Sequence, residues 1–127
     1  MNNNITEDYC SFEVSKLLKE KGFVVYCTSL YTEDGKQNDV GNYNGVDDDN
    51  YISFSRPTHA LAIKWIRENF GIHIFSTPQG ITTKYWLFGI FYTDPEKGRV
   101  EYDTNNRFDT CEESIEAALL HTLKNLI

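Results

Sequence analysis

The hydrophobic pattern in the middle of the chain has helical spacing between residues 58 and 70, in the segment THALAIKWIRENF. On a helical wheel its apolar side chains cover an arc of about 200°, which requires burial on more than one side. Pro57 suits the first turn of a helix, because the N–H that it lacks would have no partner there. Gly71 suits the end of a helix, because glycine accepts left-handed backbone angles. The pattern therefore predicts a buried helix in the middle of the chain.

Two further segments have helical spacing, one in the first part of the sequence and one in the last. The first is predicted over residues 8–21, where Gly22 ends it. Its apolar stripe consists of Cys10, Val14, Leu17 and Leu18. The last helix begins at Thr110-Cys111-Glu112-Glu113. This is a capping box, in which the threonine and the glutamate three residues later cap each other's backbone N–H groups.

Runs of β-branched and aromatic residues predict the strands. These runs cover residues 23–31, 51–54, 72–77, 83–92 and 100–102. The run 83–92 has apolar side chains on both alternating faces, so we expect it at the centre of a sheet. Gly89 within it leaves room for a close approach by backbone or ligand. Turns at 77–80 and 94–98 join the last three strands into an antiparallel meander.

The order of these elements is helix, two strands, helix, three strands, helix. It indicates an α+β fold, with an antiparallel sheet of four or five strands and three helices packed largely on one face. The sequence of 127 residues is of a length typical of one domain, so residues 1–127 are predicted to form a single domain.

Composition limits the partners. The net charge of −7 disfavours long nucleic acids. The charge is uneven, because residues 51–100 carry six bases and three acids, whereas both flanking parts are acidic. No stretch approaches the roughly 20 apolar residues of a membrane span, and the polar start MNNNITEDY does not suit a signal peptide. Three widely spaced cysteines favour a reducing intracellular compartment.

A long polar segment, residues 32–50, separates the first two predicted strands. Its 19 residues exceed the usual hairpin loop, which indicates a functional or a loosely held segment. The run Asp47-Asp48-Asp49 lacks the spacing of a calcium-binding loop, so we interpret it as a solvated tip. Tyr43 is the one aromatic residue of the segment and is a candidate to fold over a ligand.

Catalytic and metal-binding motifs are absent from the sequence, and no cofactor is expected. His59, His73 and His121 have no cysteine or carboxylate partner at short spacing, which favours structural roles for all three. A cysteine–histidine pair that is assembled only by folding stays open. Binding proteins therefore rank above enzymes.

The best candidate for chemistry is the start of the central helix, Ser55-Arg56-Pro57-Thr58. Helix N-termini bind anions because their first N–H groups lack partners, and an arginine fork fits a phosphate. Basic residues of the same third of the chain are candidates to bind the phosphate of a nucleotide, and aromatic residues there are candidates to stack on its base. The predicted ligand-binding residues are Ser55, Arg56, Thr58, Lys64, Lys84, Tyr85, Trp86 and Tyr43. The alternative, favoured for any single residue, is a capped helix beside a sheet whose aromatic residues form core.

Three segments resemble a group of small proteins of phages and prophages of gut bacteria, to which no activity is assigned. They are YCSFEVSKLLKEKGF, PTHALAIKWIRENFGIHI and CEESIEAALLHTLKNLI, together 50 of the 127 residues. The 32–50 segment does not match in detail. The resemblance implies a short accessory protein in the cytoplasm of a bacterial host, and it assigns no site. Some small phage proteins sequester nucleotide signals of host immunity between subunits, which is an analogy only.

Three functions are consistent with these observations. The first is a non-enzymatic, homo-oligomeric protein that sequesters a small anionic, nucleotide-like ligand, as an anti-defence sponge would. The second is an adaptor that inhibits or redirects a host protein through its acidic surface, with salt-dependent binding. The third is a small hydrolase, which requires a pocket with cysteine or histidine beside a carboxylate. Nucleic acid polymers and membranes are not expected as partners.

Overall fold

The computed structural model describes residues 1–39, 45–46, 52–81 and 84–127. The helices in these ranges are α1 (Phe12–Glu20), α2 (His59–Phe70) and α3 (Cys111–Asn125). The strands are β1 (Leu30–Thr32), β2 (Gln37–Asn38), β3 (Gly45–Val46), β4 (Ile52–Ser55), β5 (His73–Gln79), β6 (Tyr85–Asp94) and β7 (Gly98–Asp103). The predicted α+β class and the predicted order of the helices and longer strands are confirmed.

The chain divides into two compact units, residues 1–59 and 60–127. The first contains an antiparallel sheet in the order β2-β1-β4-β3, and the second contains the antiparallel meander β5-β6-β7. The prediction of a single sheet is therefore corrected to two sheets. Hydrophobic runs mark the strands, but they carry no information on which strands exchange hydrogen bonds. The prediction of one domain stays a prediction.

Helix α1 begins four residues later than predicted. Ser11 is its N-cap, and the Ser11 hydroxyl accepts a hydrogen bond from Val14 N–H at 3.1 Å. The preceding residues pair with another part of the chain, because Cys10 N–H donates to the carbonyl of Pro57 at 2.9 Å. This long-range contact overrides the helical pattern that the sequence shows from Asp8 onward.

The end of α1 is confirmed. Gly22 has a φ of 98°, and Phe23 N–H reaches back to the Leu18 carbonyl at 2.9 Å, as in a Schellman motif. The Phe23 side chain is fully buried, and so is the predicted apolar stripe except for Leu17, which is half-buried. The buried apolar residues of this part of the first unit are Cys10, Val14, Leu18 and Phe23.

The first strand is much shorter than the predicted range 23–31. The carbonyl of Val25 accepts a hydrogen bond from the Ser55 hydroxyl at 3.4 Å, and that of Ser29 accepts one from Arg56 N–H at 3.0 Å. The Ser29–Arg56 bond continues the register of Leu30 with Ser55 by one residue, whereas the Val25 carbonyl binds a side chain and lies outside the ladder. Strong β propensity of a segment does not decide where its backbone bonds go.

The predicted 32–50 loop contains two short strands, β2 and β3. Residues 40–44 and 47–50 lie outside the described residues. The interpretations of Tyr43 and of Asp47-Asp48-Asp49 therefore stay predictions.

Strand β5 runs two residues beyond its predicted end. Pro78 and Gln79 pair with Trp86 and Tyr85 of β6, and Gly80 follows with a φ of 90°. Strand β5 lies at the edge of the sheet, where the missing N–H of Pro78 costs no ladder bond. The predicted turn at 77–80 is thus displaced toward Gly80.

Helix α3 begins at the predicted cap. The Thr110 hydroxyl accepts from Glu113 N–H at 3.1 Å, and the helix packs against β5 and β6. A hydrogen bond between the hydroxyls of Ser76 and Ser114 joins α3 to β5. The apolar core of this contact consists of Ile74, Phe88, Ile90, Ala118, Leu119 and Leu123. No helix of the described ranges is long and apolar enough to cross a membrane.

We expect Leu119→Ala to lower the free energy of unfolding by about 2–5 kcal/mol, because Leu119 is fully buried and the shorter side chain leaves a cavity. Urea unfolding measures this loss. Lys124→Ala on the exposed side of the same helix is the control, with an expected change within about 0.5 kcal/mol. Equal effects of the two substitutions would show that α3 does not anchor the core.

Candidate functional site

The predicted ligand-binding residues are distributed over both units. Ser55, Arg56 and Thr58 belong to residues 1–59, at the start of α2. Lys64, Lys84, Tyr85 and Trp86 belong to residues 60–127, and Tyr43 lies outside the described residues. A shared site for all of these residues stays a prediction.

The guanidinium of Arg56 is held within the first unit. It lies 4.1 Å from the ring centroid of Tyr9 and 5.7 Å from that of Tyr31. Its Nε donates to the Tyr31 hydroxyl at 3.3 Å, and one terminal nitrogen donates to the Ser29 hydroxyl at 3.2 Å. With its oxygen turned toward the guanidinium, the amide of Gln37 accepts from Nε and both terminal nitrogens at 3.1, 3.0 and 2.6 Å. The fork that the sequence offers to a phosphate is thus used by the protein.

The backbone around the start of α2 is also engaged. Tyr9 forms a β-bridge with Thr58, and His59 N–H donates to the Asp8 carbonyl at 2.8 Å. Ser55 is fully buried, with its hydroxyl bound to the backbone. An anion at this helix end would compete with bonds that the first unit already makes.

The residues predicted in the second unit lie apart along the sheet and α2. Lys64 and Lys84 are exposed, on α2 and directly before β6 respectively. The ring of Tyr85 is covered by Arg107, whose guanidinium lies 4.4 Å from its centroid. Trp86 points to the opposite face of the strand and exchanges two backbone hydrogen bonds with Phe108. This geometry supports structural roles for the two aromatic residues.

A different group of side chains converges on the face of the β5-β6-β7 sheet that points away from α3. Side chains alternate between the two faces of a strand, and directly paired residues share a face. Ser76 and Phe88 identify the face toward α3 by their contacts with Ser114 and His121. The opposite face, called the outer face below, carries His73, Phe75, Thr77, Tyr85, Leu87, Gly89, Phe91, Arg99, Glu101 and Asp103.

Phe91 is the centre of the outer face. The imidazole of His73 stacks on its ring with a centroid separation of 4.5 Å and an angle of 8°. The guanidinium of Arg99 lies 4.3 Å from the same ring centroid. His73 comes from the strand on one side of β6 and Arg99 from the strand on the other, so the ring lies between them. The two contacts hold the Phe91 ring in place, and the second also positions the Arg99 guanidinium.

Phe75 covers the backbone of Gly89. A Cβ atom at position 89 would meet the Phe75 ring at 2.1 Å, so the ring occupies the space that a side chain would take. The ring centroid lies 6.1 Å from that of Phe91, at an angle of 52°. The Phe75 side chain is still 42% exposed, which leaves apolar ring surface accessible to a ligand.

These side chains border a cleft of about 260 Å³. Its described lining consists of Phe75, Phe91, Arg99, Glu101 and Asp103 of the outer face, together with Ile90 of β6, whose side chain points toward α3. Nε of Arg99 binds a Glu101 carboxylate oxygen at 2.7 Å, which orients the guanidinium along the strand. The cleft thus combines an apolar ring surface with one cationic donor group and two carboxylates, all from one sheet. Such a combination suits a small planar ligand with its own donors and acceptors.

A larger cavity, of about 530 Å³, lies at the turn between β1 and β2. Its described lining is Thr32, Glu33, Asp34 and Lys36. The Thr32 hydroxyl and, less strongly, Lys36 lower the pKa of the Asp34 carboxyl. Flexible charged side chains of one turn, without an aromatic ring among those described, define no ligand class. The cleft on the outer face is therefore the stronger candidate.

Metal and thiol chemistry find little support in the described ranges. No group of three histidine, cysteine, aspartate or glutamate side chains there is placed to hold a metal ion. Burial raises the pKa of the Cys27 thiol, and a hydrogen bond with Ser55 opposes this in part. A raised pKa reduces the thiolate fraction at neutral pH, and the thiolate is the reactive form.

Comparisons with protein-family models, with curated proteins and with solved structures found no match to this chain. The site is therefore characterised by its geometry alone.

The sequence-based prediction did not include the residues of this cleft. One signal of the cleft in the sequence is the glycine within an aromatic strand, which leaves room for close approach. A second signal was available: the alternating charged positions Arg99, Glu101 and Asp103 indicate one polar face along β7. The pairing that brings this row beside Phe75 and Phe91 is not visible in the sequence.

We expect Arg56→Lys to lower the free energy of unfolding by about 1–2 kcal/mol, because lysine has no planar fork to stack and to bind two hydroxyls at once. Urea unfolding of the whole chain is the measurement. The control is Arg67→Lys on the exposed side of α2. Equal stability of both variants would show that the Arg56 contacts contribute nothing.

We expect Gly89→Ala to lower the free energy of unfolding by about 1–3 kcal/mol, because the added methyl group displaces the Phe75 ring. The same substitution in a Phe75→Ala background should cost much less, since the obstructing ring is gone. A double-mutant cycle in urea measures the difference. An equal cost in both backgrounds would contradict the assigned contact.

Proposed function

We propose that this protein is a non-enzymatic binding protein for a small nucleobase-like ligand, held in the cleft of the outer face. The observation that carries this proposal is the arrangement of Phe75 on Gly89 beside the Arg99–Phe91 stack. Flat rings bind to exposed aromatic surfaces by stacking, which contributes about 1–3 kcal/mol per base. A cleft of about 260 Å³ has room for one such ring system.

Hydrogen-bonding groups at the edge of the cleft would orient the ring. The terminal nitrogens of Arg99 have no hydrogen-bond partner among the described residues and are available to ring acceptors. Asp103 is exposed at the same edge and is available to ring N–H donors. A nucleobase offers both kinds of group on one edge, whereas a purely aromatic hydrocarbon offers neither.

The charges of the cleft favour recognition through the base over recognition through a phosphate. One cation, Arg99, faces two carboxylates, Glu101 and Asp103, and the Arg99–Glu101 pair is already formed. A triphosphate would be repelled by these carboxylates. We therefore expect nucleosides and mononucleotides to bind at least as tightly as triphosphates.

The resemblance to small phage proteins suggests a purpose for such binding. We propose that a bacterial nucleotide is sequestered by a phage-type accessory protein, and that the protein acts as a homo-oligomer in the cytoplasm of its host. The proposal involves no nucleic acid polymer and no membrane. The adaptor hypothesis becomes the stronger one if no nucleobase-containing ligand binds.

Calorimetric titration with nucleosides and with mono-, di-, tri- and cyclic nucleotides tests the proposal. Loss of stacking in Phe75→Ala should weaken binding by about tenfold or more. Tyr102→Ala is the matched control, because Tyr102 is similarly exposed, at 40%, on the opposite face of the same sheet. Its substitution should leave affinity unchanged. Absence of binding by the wild type, or equal affinity of Phe75→Ala, would refute the site.

A further inference from the structure

Strand β7 is an edge of the meander, with β6 as its one neighbour among the described strands. Thr104 N–H donates to the Phe88 carbonyl at 3.2 Å, which identifies a hydrogen-bonded pair directly after β7. Such pairs occur at every second position of an antiparallel ladder. The N–H and C=O groups of Arg99, Glu101 and Asp103 therefore point away from β6, toward the open edge.

The other edge of the meander is less suited to pairing. Strand β5 contains Pro78, which has no N–H to donate. Trp86 of β6 uses its N–H and C=O groups for Phe108, on the side of β7, and therefore not for β5. Its β5 partner Pro78 thus lies at a position whose backbone groups face outward, toward the open edge. A proline at that position blocks the addition of a further strand. Strand β7 carries no proline and is exposed along nearly its whole length.

We propose that β7 pairs with β7 of a second copy of this chain, antiparallel and about a two-fold axis at Val100. In this register Arg99 of each copy lies directly opposite Glu101 of the other, on the outer face. Both residues direct their N–H and C=O groups outward, so the two Arg99–Glu101 pairs exchange four backbone hydrogen bonds. The register also brings Lys97 of each copy opposite Asp103 of the other.

Charge complementarity selects this register. Centring the axis on Glu101 would place two Glu101 carboxylates opposite each other, which is unfavourable in a cross-strand pair. Centring it on Val100 pairs every charged side chain from Lys97 to Asp103 with the opposite charge. A two-fold contact of this kind closes the assembly at two copies.

The pairing would join the two meanders into one continuous sheet of six strands. A two-fold axis perpendicular to the sheet keeps both outer faces on the same side. The two clefts would then lie next to each other across the new strand pair, each beside an arginine of the partner copy. This inference concerns assembly, and it holds or fails independently of whether a ligand binds.

Sedimentation equilibrium of the full chain, up to the millimolar range, tests the pairing. Arg99→Glu puts acids at both paired positions, and Glu101→Arg puts bases at both, so each variant should dimerise at least about tenfold more weakly than the wild type. An equimolar mixture of the two variants restores opposite charges across the axis. The mixture should form heterodimers with an affinity within about threefold of the wild-type value.

The mixture separates pairing between copies from any effect within one copy, because neither variant regains its own Arg99–Glu101 contact. Circular dichroism establishes that each variant is folded. If one of the charge-reversed variants is unfolded, the milder substitutions Arg99→Gln and Glu101→Gln replace them, and each should weaken dimerisation by a smaller factor. Arg67→Glu on the exposed side of α2 is the charge control and should leave dimerisation unchanged. The proposal is wrong if the wild type stays monomeric, if the charged variants dimerise as well as it does, or if the mixture fails to associate.

Discussion

The second unit depends on one constraint, which is that β6 carries apolar side chains on both of its faces. Helix α3 covers the face with Phe88 and Ile90. On the outer face the sheet covers its own backbone, since the Phe75 ring fills the space above Gly89 and Phe91 is enclosed by His73 and Arg99. Because glycine has no side chain, position 89 leaves the space that the Phe75 ring occupies. The same arrangement that protects the strand leaves a shallow apolar cleft with charged groups at its edge.

Arg56 and Arg99 differ in how much of their hydrogen-bonding capacity the fold uses, although each stacks on an aromatic ring of its own unit. Arg56 stacks on Tyr9 and binds hydroxyl groups of Ser29 and Tyr31, so its hydrogen-bonding capacity is used inside the first unit. Arg99 stacks on Phe91, uses its Nε for Glu101 and lines a cleft. The local sequence around Arg56, a helix start with a proline, is the one that suggests anion binding. Tertiary contacts, and not local motifs, decide which arginine stays available.

Much of the fold follows from local physics. Helix α3 begins at its capping box, α1 and α2 end at glycines with positive φ, and β6 is central because both of its faces are apolar. These features depend on residues a few positions apart, so they can be predicted from the sequence. The α+β class follows from them, since the order of helices and strands is a sum of local preferences.

Long-range pairing determined the rest. Helix α1 begins later than predicted because Cys10 N–H binds the Pro57 carbonyl, and the first strand is shorter than predicted because the Val25 carbonyl binds the Ser55 side chain and not a strand neighbour. The division into two sheets and the meeting of Phe75, Phe91 and Arg99 also depend on which strands pair. A hydrogen-bond partner far along the chain leaves no mark on the hydrophobic pattern of either segment. The sequence therefore supplied the elements and the apolar faces, and only the tertiary structure decided which side chains border the cleft.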